Sequence, residues 1–320
     1  MRKIVVLSSD PIDNYKYEIE ALKQIPDAEF VISPAKDEDD VISDIHDAEV
    51  VLFTATGMNA RVINSLEKCK LIIRYGIGYD NVDLSAAASR GIYVCNAPNY
   101  GVLDVAEHAL SLIFATAKKT IPMHERAKAG FWGPGTAPPF YRLAGKTIGF
   151  VGFGNIGKAL CKMTNGLSMN PLVYDPFVSD EIISEYGAQK ATIDELFSKS
   201  DFISLHLPLN EKTRHSIGRE LLTKMKKTAI LINTSRGPII NEKELIEILD
   251  DGLIAGVGLD VFEDEKNPLD ERLTSSQYAV LTPHVAWNTD VAITAIHEEV
   301  GDNVVRYLKG ERPQSIVNKL

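Results

Sequence analysis

Residues 148–175, IGFVGFGNIGKALCKMTNGLSMNPLVYD, constrain the fold of this chain more than any other segment. An apolar run, Ile148–Val151, is typical of a buried parallel strand. Three glycines follow in the pattern G-x-G-x-x-G: Gly152, Gly154 and Gly157. A helical pattern and a second apolar run come next and end at Asp175, 18 residues after the last glycine. A glycine triplet alone also occurs in turns of other α/β proteins, but together these elements predict a dinucleotide-binding βαβ unit.

Each residue type in this segment has a physical reason to be there. The first glycine allows a tight turn, the second lets a pyrophosphate approach the backbone, and the third permits close packing of helix on strand. The N–H groups at the helix N-terminus attract an anion, and the carboxylate of Asp175 is suited to accept hydrogen bonds from a ribose, which favours NAD over NADP. The predicted cofactor contacts of this segment are Gly152, Phe153, Gly154, Asn155, Ile156, Gly157 and Asp175.

The glycine turn begins nearly halfway along the 320 residues, so a segment of domain size precedes it. Apolar runs alternate with helical patterns on both sides, which predicts α/β architecture with two doubly wound parallel sheets. We expect a Rossmann NAD-binding domain, residues 101–290, inserted in a flavodoxin-like substrate-binding domain made of residues 1–100 and 291–320. The long amphipathic helix predicted at 290–308 would return to the first domain. Two consecutive domains are the alternative.

Composition excludes several classes of protein. With 45% hydrophobic residues and a net charge of −10, the chain is typical of a soluble globular protein and unsuited to broad binding of nucleic acid or an anionic membrane. Its three cysteines, Cys69, Cys95 and Cys161, have no metal-ligand spacing, so we expect reduced thiols, a cytoplasmic location and no metal. The N-terminal apolar run Ile4–Leu7 is too short for a signal peptide and predicts a first strand.

Candidate chemical groups follow the predicted strands of the second domain. Arg236 follows the strand predicted at 228–232, Asp260 and Glu265 follow the one at 253–259, and His284 follows the one at 279–282. Because ligands of such sheets bind beyond the carboxyl ends of the strands, these side chains are expected to meet beside the nicotinamide. Taken singly, they could be a surface ion pair, solvated loop acids and a turn histidine. The other histidines, including His108, are interpreted as structural, except His206, which is predicted to line the cofactor pocket.

Over nearly its whole length the chain resembles the D-isomer-specific 2-hydroxyacid dehydrogenase family, with INTSRGPIIN, GVGLDVFEDE and LTPHVAW in the family's order. The resemblance implies that Arg236 binds the substrate carboxylate and polarises the 2-carbonyl, and that His284 gives or takes the proton. Glu265 would orient His284 and favour its protonated form, and Asp260 would bind the nicotinamide carboxamide. Further expected cofactor contacts are Pro208, Thr213 and Thr234.

Residues 74–81 resemble the family's substrate loop. Arg74 and Gly76 belong to it, and the N–H groups of Ile77 and Gly78 would hold the substrate carboxylate. The two glycines alone predict an anion-binding nest of backbone donors without a competing cation. Tyr100 and Trp287 are expected substrate contacts, although both could equally be core or hinge packing.

Departures from the family pattern narrow the expected substrate. Phe53 stands where phosphoglycerate dehydrogenases commonly place an Arg, and their C-terminal regulatory domain is absent, so a phosphorylated substrate is disfavoured. Glu265 stands where formate dehydrogenases have Gln, which disfavours formate as the substrate. We therefore predict a homodimeric NAD-dependent D-2-hydroxyacid dehydrogenase that acts on glyoxylate, hydroxypyruvate or a short aliphatic 2-oxo acid. The alternatives are a phosphoglycerate dehydrogenase and, because Trp287 resembles the C-terminal-binding-protein branch, an NAD-sensing corepressor.

Overall fold

The apolar runs at the start of the chain pair as one parallel sheet. The structure is a computed structural model that describes residues 1–7, 14–135 and 139–320. Five strands form this sheet within those residues: β1 (Arg2–Leu7), β2 (Ala28–Ser33), β3 (Val50–Phe53), β4 (Leu71–Arg74) and β5 (Tyr93–Cys95). Their order, β2-β1-β3-β4-β5, is that of flavodoxin-like folds.

Four short helices connect these strands: α1 (Lys16–Leu22), α2 (Glu38–Ile45), α3 (Ala60–Ser65) and α4 (Leu84–Ser89). Three of them begin at a side chain that accepts a hydrogen bond from a backbone N–H of the first turn, namely Asp37, Asn59 and Asp83. The long C-terminal helix α13 (Asp290–Leu308) packs against α1, and a Cβ on Gly301 would lie 2.8 Å from Tyr17 Cδ1, so this close contact requires glycine. These elements form unit 1, residues 1–101 and 288–320.

A second parallel sheet contains the glycine turn. In the part of the chain that the structure describes, it has seven strands: β6 (Thr147–Val151), β7 (Asn170–Tyr174), β8 (Gln189–Lys190), β9 (Phe202–Leu205), β10 (Ile230–Asn233), β11 (Gly256–Leu259) and β12 (Ala279–Leu281). Their order is β12-β11-β10-β9-β6-β7-β8, so the strand order reverses between β6 and β9. Ligands of open α/β sheets bind beyond the strands at such a reversal.

Helices cover both faces of this second sheet and complete unit 2, residues 102–287. They are α5 (Val102–Lys118), α6 (Thr120–Lys128), α7 (Asn155–Gly166), α8 (Asp180–Glu185), α9 (Ile193–Lys199), α10 (Arg219–Leu222), α11 (Glu242–Asp250) and α12 (Glu271–Thr274), with a 3-10 turn at Gly237–Ile239. Two apolar cores lie against the sheet. The predicted fold class, two doubly wound parallel sheets, is confirmed. Among the described residues, every helix is too short or too polar to cross a membrane.

Candidate active site

The glycine turn between β6 and α7 has the shape that a pyrophosphate requires. Gly152 has φ +91°, and a Cβ there would lie 2.4 Å from His206 O. A Cβ on Gly157 would lie 2.9 Å from Gly152 O. Gly154 precedes α7, and no atom of the described residues would lie within 4 Å of a Cβ added there. The backbone is therefore open to a ligand at Gly154, next to the helix N-terminus that attracts its charge.

Asp175 connects this turn to the loop after β7. Its Oδ2 accepts a hydrogen bond from Phe153 N and its Oδ1 one from Phe177 N, both at 2.8 Å. Each carboxylate oxygen has two lone pairs, so acceptor capacity remains for ribose hydroxyls. Phe153 was predicted to contact the cofactor, but its ring is fully buried and packs edge-on against Phe150 and Tyr186. Only the backbone of Phe153 is therefore available at the turn.

The residues after β9 and β10 offer further contacts for a cofactor. His206 Nε2 lies 2.9 Å from Ser204 Oγ, and its ring stacks on Phe150. Burial lowers the pKa of His206 to about 4, so this imidazole is neutral at physiological pH. Thr234 Oγ1 is buried and has no hydrogen-bond partner within the described parts of the chain. Since buried hydroxyls are normally satisfied, this orphaned atom fits a bound cofactor.

Other predicted cofactor contacts shape the surrounding backbone. Thr213 Oγ1 donates to Pro208 O at 2.7 Å and accepts from Asn210 N at 2.9 Å, which folds the loop after β9. Asn155 is exposed in the first turn of α7, whereas Ile156 packs partly against the core of unit 2. The polar group at the start of α7 is thus Asn155, and Ile156 contributes packing.

Arg236 is placed by a tightly hydrogen-bonded turn after β10. The buried side chain of Asn233 donates to Arg236 O at 2.9 Å and accepts from Ser235 N at 3.0 Å. The following Gly237 packs directly on the loop after β11, since a Cβ there would lie 1.8 Å from Phe262 O. The backbone around Arg236 therefore has little freedom, which fixes the origin of the guanidinium.

Glu265 and His284 form a hydrogen-bonded pair beside Arg236. The His284 Nδ1 lies 2.7 Å from Glu265 Oε2, and each side chain is more than a third exposed. Partial burial raises the pKa of Glu265. This effect is outweighed by the hydrogen bond and charge of His284, by a hydrogen bond from Phe262 N and by the charge of Arg236, so the pKa of Glu265 lies below its ordinary value. Glu265 is therefore ionised at neutral pH, and its carboxylate lies within electrostatic range of both His284 and Arg236. His284 Nε2 points away from its carboxylate partner.

His284 lies in a strained turn that Asp260 organises. Its φ of +55° is in the left-handed region, and its N–H donates to Asp260 O at 2.8 Å. The Asp260 carboxylate is 1% exposed and accepts from donors of the same turn: Thr282 Oγ1 at 2.6 Å, Val285 N at 3.0 Å and Ala286 N at 2.9 Å. The predicted contact of Asp260 with the nicotinamide carboxamide stays a prediction: Oδ1 accepts from Thr282 and Val285, whereas Oδ2 accepts from Ala286 N and has a second lone pair.

The predicted substrate loop of unit 1 has a cation against it. Gly76 has φ +141°, and a Cβ there would lie 2.0 Å from Arg74 Nη1. Arg74 Nε donates to Thr54 O at 3.1 Å, and Asn96 holds the loop through a 2.7 Å bond to Ile77 O. The expectation of a nest without a neighbouring cation is therefore wrong, because side-chain packing of Arg74 over glycine could not be read from spacing.

The three aromatic residues singled out in the sequence have different surroundings. Phe53 is fully buried in the core of unit 1. The backbone N–H of Tyr100 donates to Glu299. Trp287 Nε1 donates to His284 O at 3.1 Å, so this indole supports the turn that contains the histidine.

One residue near the site was missed in the sequence. His108 lies on α5, and its Nε2 is 2.9 Å from Thr282 Oγ1. It was interpreted as structural because the helical pattern of residues 102–119 contains no sign of a partner 174 residues away. Only the packing of α5 on the second sheet reveals the contact.

Comparison with known proteins confirms the resemblance. The sequence model of the D-isomer specific 2-hydroxyacid dehydrogenase, NAD binding domain, matches residues 110–286. A glyoxylate reductase of Korarchaeum cryptofilum is 36% identical over 297 residues, 92% of this chain and 87% of that protein. A D-3-phosphoglycerate dehydrogenase of Methanocaldococcus jannaschii is 36% identical over 317 residues, 98% of this chain but 59% of that protein.

Solved structures agree with the sequence matches. The crystal structure of a glyoxylate reductase from Paecilomyes thermophila superposes with a TM-score of 0.91 at 28% identity, covering 99% of this chain and 98% of that one. The fold, the glycine turn that fits NAD, and the sequence matches agree on an NAD-dependent oxidoreductase acting on CH–OH groups. The chain therefore belongs to the D-isomer specific 2-hydroxyacid dehydrogenase family.

Proposed function

We propose that this protein catalyses reversible hydride transfer between NADH and C2 of a small 2-oxo acid, with the D-2-hydroxy acid as the reduced product where C2 is stereogenic. The observation that supports this most is the 2.7 Å pair of His284 and Glu265 beside Arg236. When bound, NADH supplies the hydride; the protein must supply charge stabilisation and a proton. Those are the two things that this group of side chains is suited to provide.

The three residues would have distinct roles. As C2 is reduced, negative charge develops on O2, and the Arg236 guanidinium stabilises it while binding the substrate carboxylate. His284 donates a proton to O2 from Nε2 as a general acid, and takes it back in the oxidation direction. Glu265, ionised and bonded to Nδ1, holds the ring in orientation for this proton transfer.

NAD would be held by the glycine turn and the acid after β7. Gly152, Gly154 and Gly157 shape the pyrophosphate site, Thr234 offers its unpartnered hydroxyl, and Asp175 accepts from the adenosine ribose. A carboxylate at the ribose opposes a 2′-phosphate, so we propose a preference for NAD(H) over NADP(H). His206, Pro208 and Thr213 would border the same site, with His206 neutral.

For the substrate side, we propose that the N–H groups of Ile77 and Gly78 bind the carboxylate and that the substituent on C2 is uncharged. Phe53, which stands where related phosphoglycerate dehydrogenases commonly have an Arg, is buried in the core and supplies no cation. The similarity to glyoxylate reductases supports a small substrate such as glyoxylate or hydroxypyruvate. Trp287 supports the His284 turn, which gives it a role without a corepressor function.

A second candidate function is phosphoglycerate dehydrogenase. It is favoured by the relative of that name and by the guanidinium of Arg74, which lies against Gly76 in the predicted substrate loop and could pair with a phosphate. Arg74 Nε already donates to Thr54 O, which leaves fewer guanidinium N–H groups for a phosphate. We therefore place this function second.

We further propose a cytoplasmic homodimer. The three cysteines are buried free thiols, as in proteins of reducing compartments. Unit 2 exposes large apolar side chains on and just after α5 and α6: Leu103, Phe114, Ile121, Phe131 and Trp132. A second copy of the chain would cover such side chains, and sedimentation velocity at micromolar concentration tests this directly.

The substrate assignment is tested by NADH oxidation with glyoxylate, hydroxypyruvate, pyruvate, branched 2-oxo acids and phosphohydroxypyruvate. Hydroxypyruvate and phosphohydroxypyruvate form the matched pair, since they differ only in the phosphate. We expect the higher kcat/KM for hydroxypyruvate, because an unpaired phosphate in a partly buried site costs several kcal/mol, on the order of a thousandfold. A higher kcat/KM for the phosphorylated compound would establish the second candidate instead.

A further inference from the structure

Helix α5 brings a second imidazole to the turn that contains His284. His108 Nε2 lies 2.9 Å from Thr282 Oγ1 and 3.5 Å from Asp260 Oδ1. The Thr282 hydroxyl donates to that same carboxylate oxygen at 2.6 Å. His108 is about one-fifth exposed and Asp260 is almost fully buried. Three side chains from separate parts of unit 2 thus form a continuous hydrogen-bonded chain.

Counting protons fixes the direction of this chain. A threonine hydroxyl has one proton, and Thr282 gives it to Asp260 Oδ1. The contact between His108 and Thr282 therefore requires the imidazole to donate, which places a proton on His108 Nε2. An ionised Asp260 can only accept, and it is the end of the chain.

Asp260, at the end of this chain, also holds the backbone at and after His284. The carbonyl of Asp260 accepts from His284 N, and its carboxylate accepts from the two following N–H groups, those of Val285 and Ala286. A non-glycine residue with φ near +55° persists only where its surroundings impose that conformation. Asp260 is the group that does so here, and its carboxylate is oriented in turn by Thr282 and His108.

We propose that His108, Thr282 and Asp260 form a positioning chain that sets the orientation of the His284 imidazole for proton transfer. This inference rests on the proposed function of His284 as the proton donor. None of the three needs to touch the substrate, so they are positioning residues. Because a displacement of about 1 Å in a reacting group can cost on the order of a hundredfold in rate, loosening this chain lowers kcat more than it weakens cofactor binding.

The test compares Thr282→Val, which removes the hydroxyl, with Thr282→Ser, which keeps it. We expect Thr282→Val to lower kcat for glyoxylate reduction at least ~10-fold. Its Kd for NADH, measured by fluorescence, should stay within ~3-fold of the wild-type value. Ser should restore kcat to within ~3-fold of the wild type. His108→Leu should lower kcat as well, and His108→Gln, whose amide can still donate, should recover part of the loss.

A second readout does not depend on activity. Long-range ¹⁵N–¹H correlation spectra of the full chain, in the neutral range, should assign the Nε2–H tautomer to His108 in the wild type and in Thr282→Ser. Thr282→Val should lose that preference, since its side chain accepts no hydrogen bond. If the protein reduces no 2-oxo acid, the proposed function fails. These spectra still decide whether the hydrogen-bonded chain of His108, Thr282 and Asp260 exists.

Three results would overturn the inference. One is an Nδ1–H tautomer for His108 in the wild type. Another is a folded Thr282→Val protein, with an unchanged thermal midpoint, whose kcat stays within ~2-fold of the wild type. The last is a rise of ~10-fold or more in the Kd for NADH at unchanged kcat, which would assign Thr282 to cofactor binding. If Thr282→Val does not fold, the kcat of His108→Leu is compared with that of His108→Gln, and Thr282→Ser is the control that keeps the hydroxyl.

Discussion

Replacing Asp175 should change cofactor choice and the stability of unit 2 together, because its carboxylate has two sets of contacts. Inside the protein it accepts from Phe153 N and Phe177 N, both at 2.8 Å. Towards the cofactor it would accept from the ribose and repel a 2′-phosphate. Asp175→Ala removes both functions, whereas Asp175→Asn removes the charge and keeps an amide oxygen as acceptor.

The size of each effect follows from burial. A hydrogen bond to a charged acceptor contributes about 1.5–3 kcal/mol when the donor cannot be hydrated. The bond from Phe153 N is only partly buried, because Asp175 is partly exposed, so its contribution should lie near the low end of that range. Phe177 is 95% exposed, and its N–H can bond to water instead. We expect Asp175→Ala to cost about 2 kcal/mol and to lower the Tm by roughly 4–8 °C. Asp175→Asn should cost about half as much.

For cofactor choice, we expect the wild type to prefer NADH over NADPH by at least ~100-fold in kcat/KM, which corresponds to about 2.7 kcal/mol. Both variants should reduce the preference to roughly 10-fold or less, because both remove the charge that opposes a 2′-phosphate. The assays are steady-state kinetics with each cofactor and thermal unfolding without cofactor, since bound NADH would raise the Tm. A wild type equally efficient with NADPH, or an Ala variant unchanged in both stability and preference, would refute this reasoning.

The remaining predictions concern one acidic side chain in each unit. Glu265→Gln replaces the ionised partner of His284 Nδ1 with a neutral amide, so kcat for glyoxylate reduction should fall about 10-fold while the Kd for NADH stays unchanged; an unchanged kcat would exclude Glu265 from this role. In unit 1, the buried Glu18 accepts from Tyr75 Oη and His297 Nδ1, both at 2.7 Å, so Glu18→Ala should cost about 3–5 kcal/mol in urea unfolding by leaving both donors unpaired. Glu18→Gln, which retains an acceptor, should cost less, and a loss below about 1 kcal/mol in the Ala variant would contradict the importance of this pair.

Much of the fold could be predicted because apolar periodicity is a local signal. The helix expected at 290–308 is α13, and the two runs around the glycine turn are β6 and β7. The two-residue strand β8 was missed, since Gln189–Lys190 has no apolar pattern and lies at the sheet edge. Strands are thus visible in a sequence where burial requires apolar side chains, and are not visible where hydrogen bonding alone defines them.

In the candidate site, contacts that follow from strand order could be predicted, whereas contacts that depend on helix packing or side-chain conformation could not. Arg236, Glu265 and His284 all follow strands, and parallel strands end at a common edge, so their proximity could be inferred from order alone. The contact of His108 with the His284 turn depends on how α5 packs on the sheet. The position of Arg74 over Gly76 depends on a side-chain conformation, which no spacing specifies.

The central claim is that His284 delivers the proton in an NADH-dependent reduction of a small 2-oxo acid. It is tested most directly by the rate of NADH oxidation with glyoxylate in the wild type and in His284→Ala, with the Kd for NADH measured on both proteins. We predict turnover by the wild type and a kcat lower by roughly 10²–10⁴-fold in the variant, with an unchanged Kd. A wild type that oxidises NADH with none of the 2-oxo acids, or a variant whose kcat falls by less than about threefold, would contradict the claim.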